Sequence, residues 1–169
     1  MRYKGKKVEG RNTELLVLRR PNGEVMAFKC EAVADYTEFE KICPSPEPPE
    51  VLKPGGVRER SVKDPKFVKA LGEWAERKTD YTVLKSLDAS PDIEWDTIDM
   101  ADPTTWGNYR KEMTDSGFTE IEIARLITTV GVANCMDDSM LEAAREDFLV
   151  AEAAAEQESA LQVDDPSST

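Results

Sequence analysis

The stretch from Asp102 to Leu149 constrains the fold most, because it carries the start signals of three consecutive helices. Asp102 followed by Pro103 is typical of an N-cap with proline at the first helical position, where the missing N–H group costs nothing. Gly117 stands where this helix needs a left-handed residue to end. The helix has on one face, at spacings of three and four, the apolar residues Trp106, Tyr109 and Met113.

The second predicted helix begins at Thr119, which forms a capping box with Glu122 three residues later. Phe118 before the cap and Ile123 after it have the spacing of a hydrophobic staple. Asn134 ends this helix. The residues of its apolar stripe are Ile123, Leu126, Ile127 and Val130. The third helix is predicted to begin near Asp137 or Asp138, with Leu141, Ala144, Phe148 and Ala151 facing inward.

A longer helix precedes this unit. Asp64 and Pro65 repeat the pattern of a cap followed by proline, and the helix they open extends to about Leu87. A helix of about 23 residues is roughly 34 Å long, and we expect it to lie against the three-helix unit. Its predicted inward residues are Phe67, Leu71, Trp74, Tyr81, Leu84 and Leu87.

The N-terminal part of the chain has strand patterns instead. Residues 14–20 are apolar and residues 24–32 alternate, and the turn residues Arg20-Pro21-Asn22-Gly23 stand between them. This pattern predicts a β-hairpin, which is marginal in water unless another element covers it. The predicted cover is a short helix after the cap Asp35, with Tyr36, Phe39 and Ile42 facing inward.

These elements predict an α+β protein that is mainly α, with a small N-terminal β-hairpin or sheet followed by a bundle of about four to five helices. The predicted domains are a hairpin and short helix over residues 1–43 and a helical domain over residues 64–158. Residues 44–63, rich in proline and glycine, form a linker or arm, and residues 159–169 a disordered tail. The sequence leaves open whether hairpin and helices share one core.

The charge of the chain is large and uneven. The net charge is −12, with a balance of +5 over residues 1–29 and −17 over residues 30–169. Such an acidic body repels nucleic acid and anionic membrane, although the basic N-terminal segment could still touch either. No secretory signal or membrane-spanning apolar run is evident. The chain has three cysteines, and none of them stands in a CxxC spacing. We therefore expect free thiols and a reducing location, the cytoplasm.

The composition also disfavours an enzyme. The chain has no histidine, which removes Ser-His-Asp and Cys-His catalysis and histidine-ligated zinc, and it has no phosphate-binding glycine motif. The acidic groups Asp137-Asp138 with Glu142 and Glu146-Asp147 fit a helix start better than a calcium loop. Glu94, Asp96 and Asp99 are more typical of a solvated face than of a catalytic pair. We expect no cofactor and no bound metal.

Four aromatic residues are candidates for partner binding. The three tryptophans lie among acidic and small residues, and each belongs either to the core or to an exposed partner-binding surface, where aromatic residues are enriched. The candidate partner-binding residues are Trp74, Trp95, Trp106 and Phe118.

The order of these features resembles the tail assembly chaperones of long-tailed bacteriophages over roughly residues 12–149. The features are an apolar strand ending in Arg19-Arg20, an Asp35-Tyr36-x-x-Phe39 helix, and Cys43-Pro44 before a proline-rich link. They continue with a helix ending in residues 83–87, the segment 94–97, and residues 106–119 before a final helix. The similarity lies in layout and spacing.

The resemblance implies a non-enzymatic chaperone or adaptor in the host cytoplasm. Members of this family bind the tape-measure protein, a long, helical, aggregation-prone chain, and help to recruit tail-tube subunits. An acidic helical body with apolar seams suits such a client, because it can hold amphipathic helices while its charge limits aggregation. Self-association into a homo-oligomer also stays open.

Two other functions remain alternatives. A structural virion component, such as a head–tail completion or decoration protein, would use the proline-rich arm to wrap a neighbour. An acidic decoy would bind a host enzyme by imitating the charge of nucleic acid, which the balance of −17 over residues 30–169 suggests.

Overall fold

The computed structural model describes residues 1–52 and 54–135 and, beyond them, positions 142, 145, 146 and 150. The chain divides into two units, Met1–Asn134 and Cys135–Thr169. The predicted inward residues of the helix from Asp137 or Asp138, and the predicted tail over residues 159–169, lie outside the described residues.

The described residues form an α+β fold, as predicted. Three antiparallel strand pairs are present: β1 (Arg2–Tyr3) with β2 (Lys6–Lys7), β3 (Thr13–Arg19) with β4 (Val25–Glu31), and β5 (Glu50–Leu52) with β6 (Arg58–Arg60). The helices of this part are α1 (Thr37–Ile42), α2 (Pro65–Leu87), α3 (Asn108–Asp115) and α4 (Glu120–Ala133). The N-terminal hairpin is confirmed, whereas the mainly helical bundle is matched only roughly.

The β3–β4 hairpin buries one face. Leu16 pairs with Phe28 and Leu18 with Met26, so that these side chains point to the same side. Phe28 and Leu18 are buried there, while Leu15 on the opposite face is 61% exposed. The hairpin turns where predicted, with the Gly23 N–H donating to the Arg20 carbonyl at 2.9 Å. Helices α2 and α4 cover the buried face.

Helix α2 has the predicted ends but not the predicted burial. The Asp64 carboxylate accepts from the backbone N–H groups of Lys66 at 2.9 Å and Phe67 at 3.0 Å, and the helix extends for 23 residues. Its fully buried positions begin only at Asp80, while Leu71 is 38% exposed. The predicted inward face is therefore only partly covered in the first half of the helix, where Phe67 and Trp74 are half buried. The reason is length: α4 has 14 residues, about 21 Å, against roughly 34 Å for α2.

An aromatic cluster joins α1 and α2 to the segment before α3. Phe39 lies 5.3 Å from Tyr81 and 5.9 Å from Trp106, and Tyr81 lies 5.1 Å from Trp106, between ring centroids. All three side chains are buried, and the same core contains Leu18 and Phe28 of the hairpin. Hairpin and helices therefore share one core, which the sequence left open.

The segment before α3 corrects one predicted helix start. The helix begins at Asn108 rather than at Pro103. The Asp102 carboxylate accepts from both the N–H and the hydroxyl of Thr104, and Thr105 donates its N–H to the Asp102 carbonyl. These turns satisfy the backbone without a helix. The predicted apolar face nevertheless forms, since Trp106, Tyr109 and Met113 are all buried.

The connection between α3 and α4 has the predicted geometry. Gly117 has a φ of +84°, and the Phe118 N–H donates to the Met113 carbonyl at 2.9 Å, as in a Schellman motif. The capping box between Thr119 and Glu122 is present in both directions. Phe118 and Ile123 are both buried, as expected of a hydrophobic staple.

The predicted linker over residues 44–63 contains a hairpin. β5 and β6 pair within it, and Gly55 and Gly56 have φ values of +103° and +80°, which their lack of a side chain permits in the turn. The Ser61 N–H donates to the Pro49 carbonyl at 2.8 Å at the base of this hairpin. The predicted linker or arm therefore contains a hairpin that the sequence analysis did not predict, and its two glycines allow the chain to reverse.

Two glycine substitutions should change stability in opposite directions. Gly117→Ala places a Cβ in the left-handed region and 3.3 Å from Nη2 of Arg20, so we expect a loss of about 1–2 kcal/mol in the free energy of unfolding. Gly72→Ala lies inside α2 with open space around the new Cβ, and should add about 0.5–1 kcal/mol. Urea unfolding of both variants measures this, and equal shifts of the same sign would contradict the assigned conformations.

Candidate functional site

An open groove of about 1040 Å³ lies among the β3–β4 turn, residues 92–97 and α3. This volume is at the upper end of the range for small-molecule pockets, and the groove is open rather than enclosed. We refer to it as the groove. Its apolar lining consists of Met26, Phe28, Ile93, Trp95, Met113 and Phe118.

Arg20 fastens one wall of the groove. Its guanidinium lies 4.1 Å from the centroid of the Phe118 ring and donates to the carbonyls of Ser116 at 3.2 Å and Gly117 at 3.0 Å. It also lies 3.6 Å from a Glu122 carboxylate oxygen. These contacts link the hairpin turn to the α3–α4 connection. Arg20 therefore stabilises this wall through cation–π and hydrogen-bond contacts.

Glu112 of α3 holds the opposite wall. Its carboxylate accepts from the backbone N–H groups of Asp96 at 2.9 Å and Thr97 at 2.7 Å, and from the Thr97 hydroxyl. Partial burial acts to raise the pKa of Glu112, but these hydrogen bonds to the ionised form outweigh it, and the pKa lies below its ordinary value. The ionised carboxylate therefore positions the segment that carries Trp95.

Trp95 is the half-buried aromatic residue of the groove. Its ring packs edge-on against Tyr109, with 6.3 Å between centroids, while part of the side chain faces solvent. A large, partly exposed aromatic side chain held by its neighbours can bury further area against a partner with little loss of conformational entropy. Trp95 is thus suited to contact a bound segment.

The rim of the groove is acidic. Six carboxylates line the groove against two cations, and one of those cations, Lys111, lies 2.7 Å from Asp115. The exposed carboxylates Asp92, Glu94 and Asp96 form no ion pair with any residue in the described part of the chain. An apolar floor beneath a negative rim favours a ligand that is both apolar and cationic. The lining carboxylates are Glu24, Asp92, Glu94, Asp96, Glu112 and Asp115.

The structure separates the four residues predicted to bind a partner. Trp95 and Phe118 both line the groove, although Phe118 is 8% exposed and acts as its floor. Trp106 is completely buried beside Phe39, so its role in the folded unit is in the core rather than on a surface. Trp74 is half buried, with its ring centroid 5.7 Å from that of Phe39, and donates its indole N–H to the Cys43 carbonyl at 3.0 Å.

Sequence reasoning did not identify Arg20 or Glu112 as parts of a site. The sequence placed Arg20 only at the end of a strand and in the turn that follows, and Glu112 is one carboxylate among thirty-four acidic residues. Their partners are distant in the chain: Arg20 contacts Phe118, and Glu112 accepts from Asp96. The sequence carries only a weak signal for Glu112, which stands one residue before the buried Met113, at the edge of the inward face of α3.

The cysteines take no part in the groove. Cys30 and Cys43 are buried free thiols, as predicted, and Cys135 is exposed. Burial and the nearby Glu14 carboxylate raise the pKa of Cys30 to about 11. This thiol therefore stays protonated at neutral pH and is a poor nucleophile.

Other candidate chemistry is limited in the part of the chain that the structure describes. Within it, histidine, cysteine and carboxylate side chains do not gather in groups of three that could hold a metal ion. Asp99 accepts the N–H of Ala101 in a turn. The acidic groups at Asp137-Asp138 and Asp147 lie outside the described residues. Among the described helices, none is long and apolar enough to cross a membrane.

Comparisons with protein-family models, with curated proteins and with solved structures give no match for this chain. The arrangement of the groove therefore has to be interpreted from its own chemistry.

Removing the Glu112 carboxylate should loosen one wall of the groove. Glu112→Gln keeps the shape but weakens the bonds to Asp96 and Thr97, and we expect a loss of roughly 1 kcal/mol in the free energy of unfolding at neutral pH. Glu47→Gln is a suitable control, because Glu47 is exposed in the loop after α1, outside the groove and away from any helix terminus.

The difference between wild type and Glu112→Gln should depend on pH. The folded pKa of Glu112 is lowered, so its stabilisation is complete above the ordinary value of 4.5 and disappears as pH falls through the lower folded pKa. Urea unfolding at a series of pH values measures this. A difference that stays constant from neutral to strongly acidic pH would show that the carboxylate charge does not hold the segment.

Proposed function

We propose that this protein is a non-enzymatic assembly chaperone or adaptor that holds an amphipathic helical segment of a client protein in the groove. The observation that carries this proposal is the combination of an apolar floor with an acidic rim in one open groove. Such a surface matches a helix with an apolar stripe flanked by basic residues. The net charge of −12 would also keep the complex soluble.

The contacts of the groove support a macromolecular ligand. The half-buried ring of Trp95 offers an aromatic anchor, and residues of this type dominate binding energy at protein interfaces. The carboxylates of Asp92 and Glu94 lie exposed beside it, where they would attract lysine and arginine side chains of the client. The open form suits a polypeptide that enters from the side better than an enclosed small molecule.

The resemblance in layout to tail assembly chaperones suggests which client the groove binds. In this proposal the client is a tape-measure-type protein, which is long and helical and aggregates when its apolar seams are exposed. Tail-tube subunits are the second proposed partner, and the site of action is the host cytoplasm. The acidic body supports neither nucleic acid nor membrane as a ligand, because phosphate groups would be repelled.

Charge reversal at the rim should abolish the protective effect. We propose co-expression with a long helical tape-measure-type protein, followed by measurement of the client's soluble yield. Wild type should raise the yield, and Asp92→Lys with Glu94→Lys should bind the client about tenfold more weakly, a change of about 1.4 kcal/mol, and restore its aggregation.

A matched control has the same change of charge away from the groove. Glu40→Lys with Glu47→Lys replaces two exposed carboxylates that do not line it, and should protect the client as well as wild type. Equal loss in both double variants would show a general effect of charge and contradict the groove as the site. Stoichiometric amounts of the chain in purified particles would instead identify a structural virion component.

A further inference from the structure

A second exposed apolar region lies apart from the groove. It comprises the β5–β6 hairpin, its connection to α2 and the first turns of α2, and we call it the arm surface. None of its residues lines the groove. Its large apolar side chains, with their exposed fractions, are Val51 (48%), Leu52 (68%), Val57 (64%), Val62 (61%), Val68 (53%) and Leu71 (38%).

The arm surface is basic, whereas the protein as a whole is acidic. Over residues 57–69 the sequence has five basic and two acidic residues, a balance of +3 in a chain of net charge −12. One of the two acids, Asp64, is occupied as the N-cap of α2. All five basic residues are exposed, namely Arg58, Arg60, Lys63, Lys66 and Lys69. Arg58 lies 3.5 Å from Glu50 and Lys69 3.7 Å from Glu73, both at exposed positions.

The hairpin places apolar and basic side chains together. Leu52 pairs with Arg58, and in an antiparallel pair such residues point to the same face, as does Arg60 two positions along. On α2, Val68 and Leu71 are three residues apart and form an exposed ridge of the kind that packs against another helix. The base of the hairpin lies directly before the start of this helix.

Most of the apolar side chains in this region are exposed to solvent rather than packed against other residues of the chain. Every strand residue of β5 and β6 is exposed, and a hairpin with such short strands is marginal by itself. Exposed large apolar side chains so close together in the chain, six between Val51 and Leu71, are typical of an interaction site. Their number here distinguishes the arm surface from a nucleic-acid interface, which is built mainly from phosphate contacts.

We propose that the arm surface binds an acidic amphipathic helix of a partner protein, whose apolar stripe covers Leu52, Val68 and Leu71 and whose carboxylates meet the exposed arginines and lysines. Charge complementarity selects this occupant. The groove favours a cationic ligand and the arm surface an anionic one, so the two sites take different partners. This inference rests on its own residues and stands whether or not the groove binds a tape-measure-type client.

The probe is a labelled peptide of about 21 residues, roughly six helical turns, made of glutamate and leucine with leucine at heptad spacing. Fluorescence anisotropy should show that the wild-type protein binds it and that added salt weakens the binding. Leu52→Ser with Val68→Ser, and separately Arg60→Glu with Lys66→Glu, should each weaken it about tenfold. A scrambled peptide of the same composition should not bind.

Two controls separate this site from the rest of the surface. Leu15→Ser with Val17→Ser removes similarly exposed apolar side chains from β3 and should leave binding unchanged. The groove variant Asp92→Lys with Glu94→Lys should retain binding, which separates this test from that of the groove. Equal binding by the arm variants, no binding by wild type, or complete displacement of the peptide by a DNA duplex would overturn the proposal.

Discussion

The fold depends on burying one face of the two-stranded β3–β4 hairpin, because two strands alone are only marginally stable in water. Helices α2 and α4 supply the cover, and polar contacts set its position. The Asn134 side chain accepts the Val33 N–H at 2.8 Å and donates to the Ser86 hydroxyl at 2.9 Å, which ties the end of α4 to the chain after β4 and to α2. The Ser90 hydroxyl bonds both the N–H and the carbonyl of Lys29 at the edge of β4. Buried polar contacts of this kind select one arrangement among several that apolar packing alone would allow.

The same requirement leads to the groove. Once α4 lies on the hairpin, the turn at Arg20 reaches the α3–α4 connection, and its guanidinium covers the Phe118 ring. Asp80 of α2 pairs with Arg110 of α3 at 2.7 Å, which compensates a carboxylate that is only 6% exposed and fixes α3 beside the long helix. Two residues further along α3, Glu112 holds the segment that carries Trp95. The groove therefore follows from contacts that first stabilise the core.

Many local features could be predicted from the sequence, although the start of α3 and the β5–β6 hairpin were not, and features that join distant segments could not be predicted. The cap at Asp64, the box at Thr119 and the turn before Phe118 involve residues within a few positions of one another, and each appears in the structure. The groove joins segments more than 90 positions apart, and no local spacing encodes such a meeting. Burial along α2 was misjudged for a similar reason: periodicity identifies an apolar stripe, but only the lengths of the neighbouring elements decide how much of that stripe is covered.

Helix α2 connects the two proposed binding surfaces. Its first turns belong to the arm surface, and its last two turns are buried in the core, with Asp80 paired to the helix that forms a wall of the groove. A continuous helix of about 34 Å is stiff on the scale of a small domain, so a partner on the arm surface and a client in the groove would be held at a set separation. The uneven charge gives the two sites opposite preferences, and each disfavours the ligand of the other. An adaptor needs this combination: two partners recognised separately and held together by one folded unit.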